Sequence, residues 1–148
     1  MRGFTLIELL VVLGIFVIVA ALSLPFVQSF QVSSDFHTHI NTLKNTLRHA
    51  QQKAITGQEN SAWGVYFNEA EKKFILFKGA SYALRDPGED LEFVYPGIFS
   101  ISSDFGNEIY FNLYSGAPST FGTTTIISAN NEVEYVVIKN SGLIKIND

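Results

Sequence analysis

Hydrophobic positions follow three successive patterns along this chain. From Phe4 to Val27 they run almost unbroken, with Glu8 the one charge among them. Gln28, Ser29, Gln31, Ser33, Ser34 and Asp35 then interrupt the run. Beyond them Phe36, Ile40, Leu43, Leu47, Ala50 and Ala54 recur at alternating spacings of four and three, which places them in one stripe on a helix. His37, Asn41, Lys44, Arg48 and Gln52 fall beside or opposite that stripe. Together these patterns predict one long helix from about Phe4 to Thr56, bent near Pro25 and stopped at Gly57. A coiled coil is the competing reading, and the weaker one, because its heptads are not sustained.

After Gly57 the period changes to that of strands. Trp63, Val65 and Phe67 alternate with Gly64 and Tyr66, and Asn68-Glu-Ala-Glu71 turns into Lys73-Phe-Ile-Leu-Phe-Lys78. Further strands are expected over 91–95, 98–102, 108–113, 123–128, 133–139 and 143–146. Turn chemistry separates them: Asp86-Pro-Gly, Pro96-Gly, Phe105-Gly-Asn, Ser115-Gly-Ala-Pro, Asn130-Asn and Asn140-Ser-Gly. The last two strands read as a hairpin closed by Asn140-Ser-Gly. Short strands at this spacing argue for antiparallel sheet, and the class is α+β. There is no internal repeat or low-complexity tract.

Charge and composition narrow the function. The net charge of −4 argues against a general nucleic-acid binder, which needs a basic footprint. Only Arg2 and Glu8 among the charged residues precede Gln28, so the acidic excess belongs to the second part of the chain. No Cys is present, which excludes disulfide staples, thiolate metal sites and a Cys nucleophile. Phosphate-loop, dinucleotide and Gly-x-Ser-x-Gly patterns are also missing, so neither an enzyme nor a cofactor is expected.

The N-terminal run admits three readings. As a helix, 24 residues span roughly 36 Å at about 1.5 Å per residue, against a bilayer core of about 30 Å. A cleaved secretory signal would have a shorter apolar stretch ending at small residues such as Ala20-Ala21-Leu22-Ser23. A plain single-pass anchor is the second reading, and a prepilin leader is the third. Glu8 separates them: an acid inside an apolar span costs about 2.5–3.5 kcal/mol on insertion scales, so it is kept for a purpose unless it snorkels to the headgroups.

Gly3-Phe4-Thr5-Leu6-Ile7-Glu8-Leu9-Leu10-Val11-Val12 resembles the prepilin processing motif of type IV pilins and type II secretion pseudopilins. The resemblance implies a prepilin peptidase that cuts after Gly3 and methylates the new amine of Phe4. It implies a helix-bending role for Pro25 and single-pass insertion in the inner membrane with the C-terminal part extracytoplasmic. It also implies partners: other pilin subunits packing through the helix, and an inner-membrane assembly platform. The leader, Met1-Arg2-Gly3, is shorter than the family's usual one, with Arg2 as the positive cytoplasmic flank. In a filament, the carboxylate of Glu8 would need a cation, and the Phe4 amine of a neighbour would supply it.

The stretch Leu43-Lys-Asn-Thr-Leu-Arg-His-Ala-Gln-Gln-Lys-Ala54 before a Gly and a strand, and the closing Val136-Val-Ile-Lys-Asn-Ser-Gly-Leu-Ile-Lys-Ile146, are similar to the GspH/FimT branch of minor pseudopilins. The expected organisation is a leader at 1–3, a transmembrane and filament-core half-helix at 4–27, an amphipathic half at 28–57, and an antiparallel β part at 58–148. The expected function is that of a minor pseudopilin of a type II secretion pseudopilus or a minor pilin of a type IV pilus. A major pilin, or a DNA-uptake pilin acting as a binding module, are the alternatives; the acidic balance gives the latter no support.

Other chemistry is weaker. His37, His39 and His49 lack zinc spacing and read as solvent-facing helix residues. Asp86, Glu89, Asp90 and Glu92 surround a Pro-Gly turn and have the oxygen-rich character of a calcium loop, but not the EF-hand pattern. Trp63, Tyr66 and Phe67 read as core on one strand face and cross-strand cover on the other. Lys44, Arg48 and Lys53 read as a solvated helix edge.

Overall fold

The computed structural model describes residues 4–147, with the side chains of 23–29 left aside. The leader residues 1–3, Gly3 among them, and the ring of Pro25 with the bend expected there lie outside the described residues and side chains. A single helix, α1 (Leu6–Ile55), is followed by eight strands: β1 (Trp63–Asn68), β2 (Lys73–Lys78), β3 (Leu91–Val94), β4 (Ser100–Ser103), β5 (Glu108–Phe111), β6 (Gly122–Ile127), β7 (Val133–Ile138) and β8 (Ile144–Asn147). The helix backbone is continuous through position 25.

The stripe read from the sequence is the core face of α1. Phe36, Leu43, Leu47, Ala50 and Ala54 are 0 % exposed and Ile40 is 2 % exposed. They pack against Trp63, Val65, Phe74, Leu76, Ile109 and Phe111 from one sheet and Ile126, Val136, Ile138 and Ile144 from the other. Thr56 caps the helix end, and Gly57 follows in the left-handed region at φ 67°. That conformation favours glycine, and a Cβ there would also lie 2.4 Å from the Tyr114 ring, so the helix stops there.

All strand pairings are antiparallel, but they form two four-stranded sheets rather than one. Sheet A has the order β3-β2-β1-β5 and sheet B the order β4-β6-β7-β8. The chain leaves sheet A for β4, returns to it for β5, then completes sheet B with three consecutive strands. Gly64 of β1 is required by a close approach: a Cβ there would lie 2.5 Å from the Phe77 ring and 2.6 Å from the Ile109 carbonyl.

A short polar clip joins the two sheets. Glu69, in the β1–β2 turn, accepts from the Tyr95 hydroxyl (2.5 Å) just beyond β3 and from the Ile101 amide (3.2 Å) on β4. Its other oxygen pairs with Lys72, whose ammonium also donates to the Phe99 carbonyl. Partial burial pushes the Glu69 carboxyl up, but the hydrogen bonds from Lys72, Tyr95 and Ile101 outweigh it and hold it below the ordinary glutamate range. Because the folded value is depressed, this stabilisation is present above the unfolded value and is lost as pH falls through the folded one. Glu69→Gln is therefore expected to cost about 1 kcal/mol at neutral pH, the carboxylate being partly exposed. It should also flatten the acid side of the stability curve; chemical melts at pH 7 and pH 3.5 check both.

Candidate functional site

The N-terminal half of α1 has no cover within the chain. Every large apolar side chain described from Phe4 to Leu22 is exposed, from 43 % at Val12 to 81 % at Phe4 and Leu6. The core begins later, with Val32 packed against it and Phe36 inside it. Each such side chain left in water forgoes about 1.5–3 kcal/mol, so an apolar surface of this length demands lipid or other helices around it. Among the described residues, no helix is long and apolar enough to cross a membrane. Side chains 23–29 are not among those described, and the sequence continues the apolar run there with Leu24, Phe26 and Val27.

The start of this helix is built by its own residues. Thr5 is the N-cap, in an extended conformation, and its hydroxyl accepts from the Glu8 amide at 3.3 Å. Thr5-Leu-Ile-Glu8 thus has the Thr-x-x-Glu spacing of a capping box. Glu8 stands in the first turn, where a carboxylate opposes the positive end of the helix dipole. The capping contribution of Thr5 is absent from the expectations above, although its sequence signature was there to be read. Phe4 precedes the helix and is exposed, as is Glu8, so the two expected assembly residues lie at the same free end of the molecule.

The remaining candidates are absorbed by the fold. Of the acidic loop, Asp90 takes the Arg85 guanidinium (2.7 Å), Glu92 takes Lys73 (2.9 Å), and Asp86 caps the amide of Gly88 (3.2 Å). Cations and backbone thus engage Asp86, Asp90 and Glu92, and among the described residues no three metal-type side chains converge. Arg85 also lies 3.7 Å above the Tyr82 ring, which stacks on Tyr66 at 3.9 Å. Tyr66 is thus the cover on the outer face of sheet A, while Trp63 and Phe67 are buried on the other face. Lys53 lies 3.7 Å over the Trp63 ring, and Arg48 donates to the Ile144 carbonyl (3.2 Å). Those two basic residues therefore pin helix to sheet instead of forming a free charged edge. His49 and His37 face solvent, His37 lying 3.7 Å from Glu134. His39 differs from expectation: it is half-buried on the flank of the stripe, edge-on to Phe99, and burial lowers its pKa against the opposing pull of Asp35.

Comparison with known proteins adds to this geometry. The family of the prokaryotic N-terminal methylation motif matches residues 1–24. No curated protein sequence matches the chain significantly. Among solved structures, the chain is similar to the minor pseudopilin EpsH from the type 2 secretion system of Vibrio cholerae, with TM-score 0.59 and 12 % identity over 76 % of this chain and 96 % of that one. It is also similar to the type IV minor pilin FimU of Pseudomonas aeruginosa, with TM-score 0.62 and 15 % identity over 84 % of this chain and 93 % of that one. At these identities the likeness is one of fold. The chain thus carries the prokaryotic N-terminal methylation motif and, behind it, the pilin-like fold of these minor subunits.

Proposed function

We propose that this chain is a minor structural subunit, a minor pseudopilin of a type II secretion pseudopilus or a minor pilin of a type IV pilus, and not an enzyme. It is held in the inner membrane by residues 4–27, cut after Gly3 by a prepilin peptidase, methylated on Phe4, and drawn into a filament by packing its apolar half-helix against other subunits. The observation that carries the reading is the helix itself. One continuous element has a bare apolar half beginning at a capped, acid-bearing turn, and a second half buried in a domain with a core of its own. Such a domain needs no help to fold, so the bare half is available for assembly. A DNA-uptake role finds no support in the helix edge, where Arg48 and Lys53 are already engaged.

Processing tests this directly. Co-expression with a prepilin peptidase is expected to give a chain whose intact mass and N-terminal peptide begin at a methylated Phe4. Gly3→Val should leave the precursor uncut. Cleavage near Ala21-Leu22 instead would replace the assembly reading with that of an ordinary secretory signal.

A further inference from the structure

Two contacts fix the height of β7 against α1. The Ser33 hydroxyl donates to Glu132, just before β7, at 3.0 Å, and the His37 imidazole lies 3.7 Å from Glu134 within it. Four residues on the helix rise about 6 Å and two on the strand about 6.6 Å, so helix and strand stay in step. Continued two residues back from Glu132, the same step brings Asn130, at the apex of the β6–β7 turn, level with position 29 of α1.

That level is the border of the apolar run. From Phe4 to Val27 the run spans roughly 36 Å as a helix, about 6 Å more than a bilayer core. Centred on the core, it leaves Val27 about 3 Å outside and Asn130 about 6 Å outside. A headgroup layer is about 5–7 Å deep on each side. Because α1 is one continuous helix through this level, it carries the turn to that depth.

The turn is tightly tied and uncharged. The hydroxyl of the buried Ser128 accepts from the amides of Asn130 (3.3 Å) and Glu132 (3.2 Å), and the Ser128 amide donates to the Glu132 carbonyl (2.9 Å). Asn131 takes φ 60°, a conformation that asparagine adopts more readily than most residues. Ala129, Asn130 and Asn131 are exposed. No charged residue occurs in 128–131 or in 28–34, and Glu132 and Glu134 are turned to Ser33 and His37 on the helix. The tip therefore presents two carboxamides, which both donate and accept. Phe30, 78 % exposed, stands on α1 at the same level.

We infer that the β6–β7 turn rests on the membrane: before assembly, Asn130 and Asn131 hydrogen-bond the headgroups of the phospholipid layer that residues 4–27 cross. The inference rests on the membrane anchoring proposed above. Phosphate and ester oxygens accept from the carboxamides, and a neutral tip enters the layer without desolvating a charge. Helix and turn together are two points of contact, so they hold the β7 side of the domain against the bilayer.

Fluorescence quenching tests this on the full chain. The chain has no Cys, so each single-thiol variant carries one label when reconstituted alone in phosphatidylcholine vesicles. A label at Asn130→Cys should lose most of its emission to a spin label on the lipid headgroup. So should one at Ala129→Cys, which keeps both asparagines. Asn130→Ala with Asn131→Gly removes both carboxamides but permits the left-handed turn, and should weaken the quenching at Ala129→Cys. Val17→Cys, within the run, should be quenched by a spin label on the acyl chain. Ser141→Cys lies beside Gly142, whose carbonyl Gln51 reaches at 2.8 Å; that is roughly 36 Å along α1 from Val27, so its label should stay bright. Quenching at Val17 with Asn130 and Ala129 as bright as Ser141 overturns the inference alone. Quenching at Ser141 as well, or at Ala129 undiminished by loss of the carboxamides, also overturns it. A bright Val17 label overturns the membrane reading, and this inference with it.

Discussion

Leu47→Asp is expected to leave the C-terminal domain unfolded. Leu47 is 0 % exposed in the middle of the helix stripe, with Leu43 and Ala50 on either side. Removing the leucine side chain alone costs about 2–5 kcal/mol at such a site. An unpaired carboxylate in its place adds several more, or is protonated at similar cost. The whole fold is expected to hold only about 5–15 kcal/mol, so the two together consume it. Circular dichroism and a thermal melt of the chain from Gln28 onward should show loss of the cooperative transition. Asn45→Asp, two residues earlier on an exposed part of α1, should melt like wild type. Equal melting of both variants would mean that the stripe does not hold the domain together.

Loss of Glu8 should abolish assembly without harming insertion or cleavage. Glu8→Ala removes the single acid of the apolar half, so entry into the bilayer becomes easier by about 2.5–3.5 kcal/mol. Under the proposed assembly, what is lost is the partner for the Phe4 amine of a neighbouring subunit, which would enter an apolar bundle unpaired; breaking a buried pair this way costs about 3–5 kcal/mol. That corresponds to a hundredfold or greater fall in incorporation at about 1.4 kcal/mol per factor of ten.

The capping geometry sharpens the test. Glu8 also sits three residues after the Thr5 cap, whose hydroxyl accepts its amide, and a capping box tolerates Gln in place of Glu. Glu8→Gln therefore keeps the helix start and removes the charge. If charge pairing drives assembly, Glu8→Gln fails nearly as badly as Glu8→Ala. If Glu8 serves only the helix start, Glu8→Gln assembles normally and Thr5→Ala shows a defect instead. Crosslinking to the neighbouring subunit at matched expression level distinguishes these outcomes.

How much of this was legible in the residues depends on the range of the interaction involved. The stripe from Phe36 to Ala54, the stop at Gly57, and the strand at Lys73–Lys78 are where the pattern put them. Helical and strand periods arise from local backbone sterics, and each residue reports its own face. The closing hairpin was equally legible, because Asn140-Ser-Gly connects strands adjacent in sequence and Gly142 takes the positive φ of 80°. The methylation motif was legible on the same grounds, since residues 1–24 form one contiguous stretch. The Thr5 cap has its signature on the same grounds, in the Thr-x-x-Glu spacing of Thr5 and Glu8.

Sheet membership could not be read this way. Nothing local distinguishes β4 from β5, yet Ile101 pairs with Ile126 in sheet B and Ile109 with Val65 in sheet A. Partner choice is settled by contacts between distant residues, through the closure of loops and the burial of both sheet faces around α1. The fate of the charged residues was hidden for the same reason. Only the folded chain brings Arg85 to Asp90 over Tyr82, Lys53 over Trp63, and Glu69 to Tyr95 and Ile101. The sequence by itself determined the helix, its bare and buried halves and the methylation motif at its start; the tertiary structure decided how the strands divide and which charges are spent on the fold, because both depend on contacts between residues far apart in the chain.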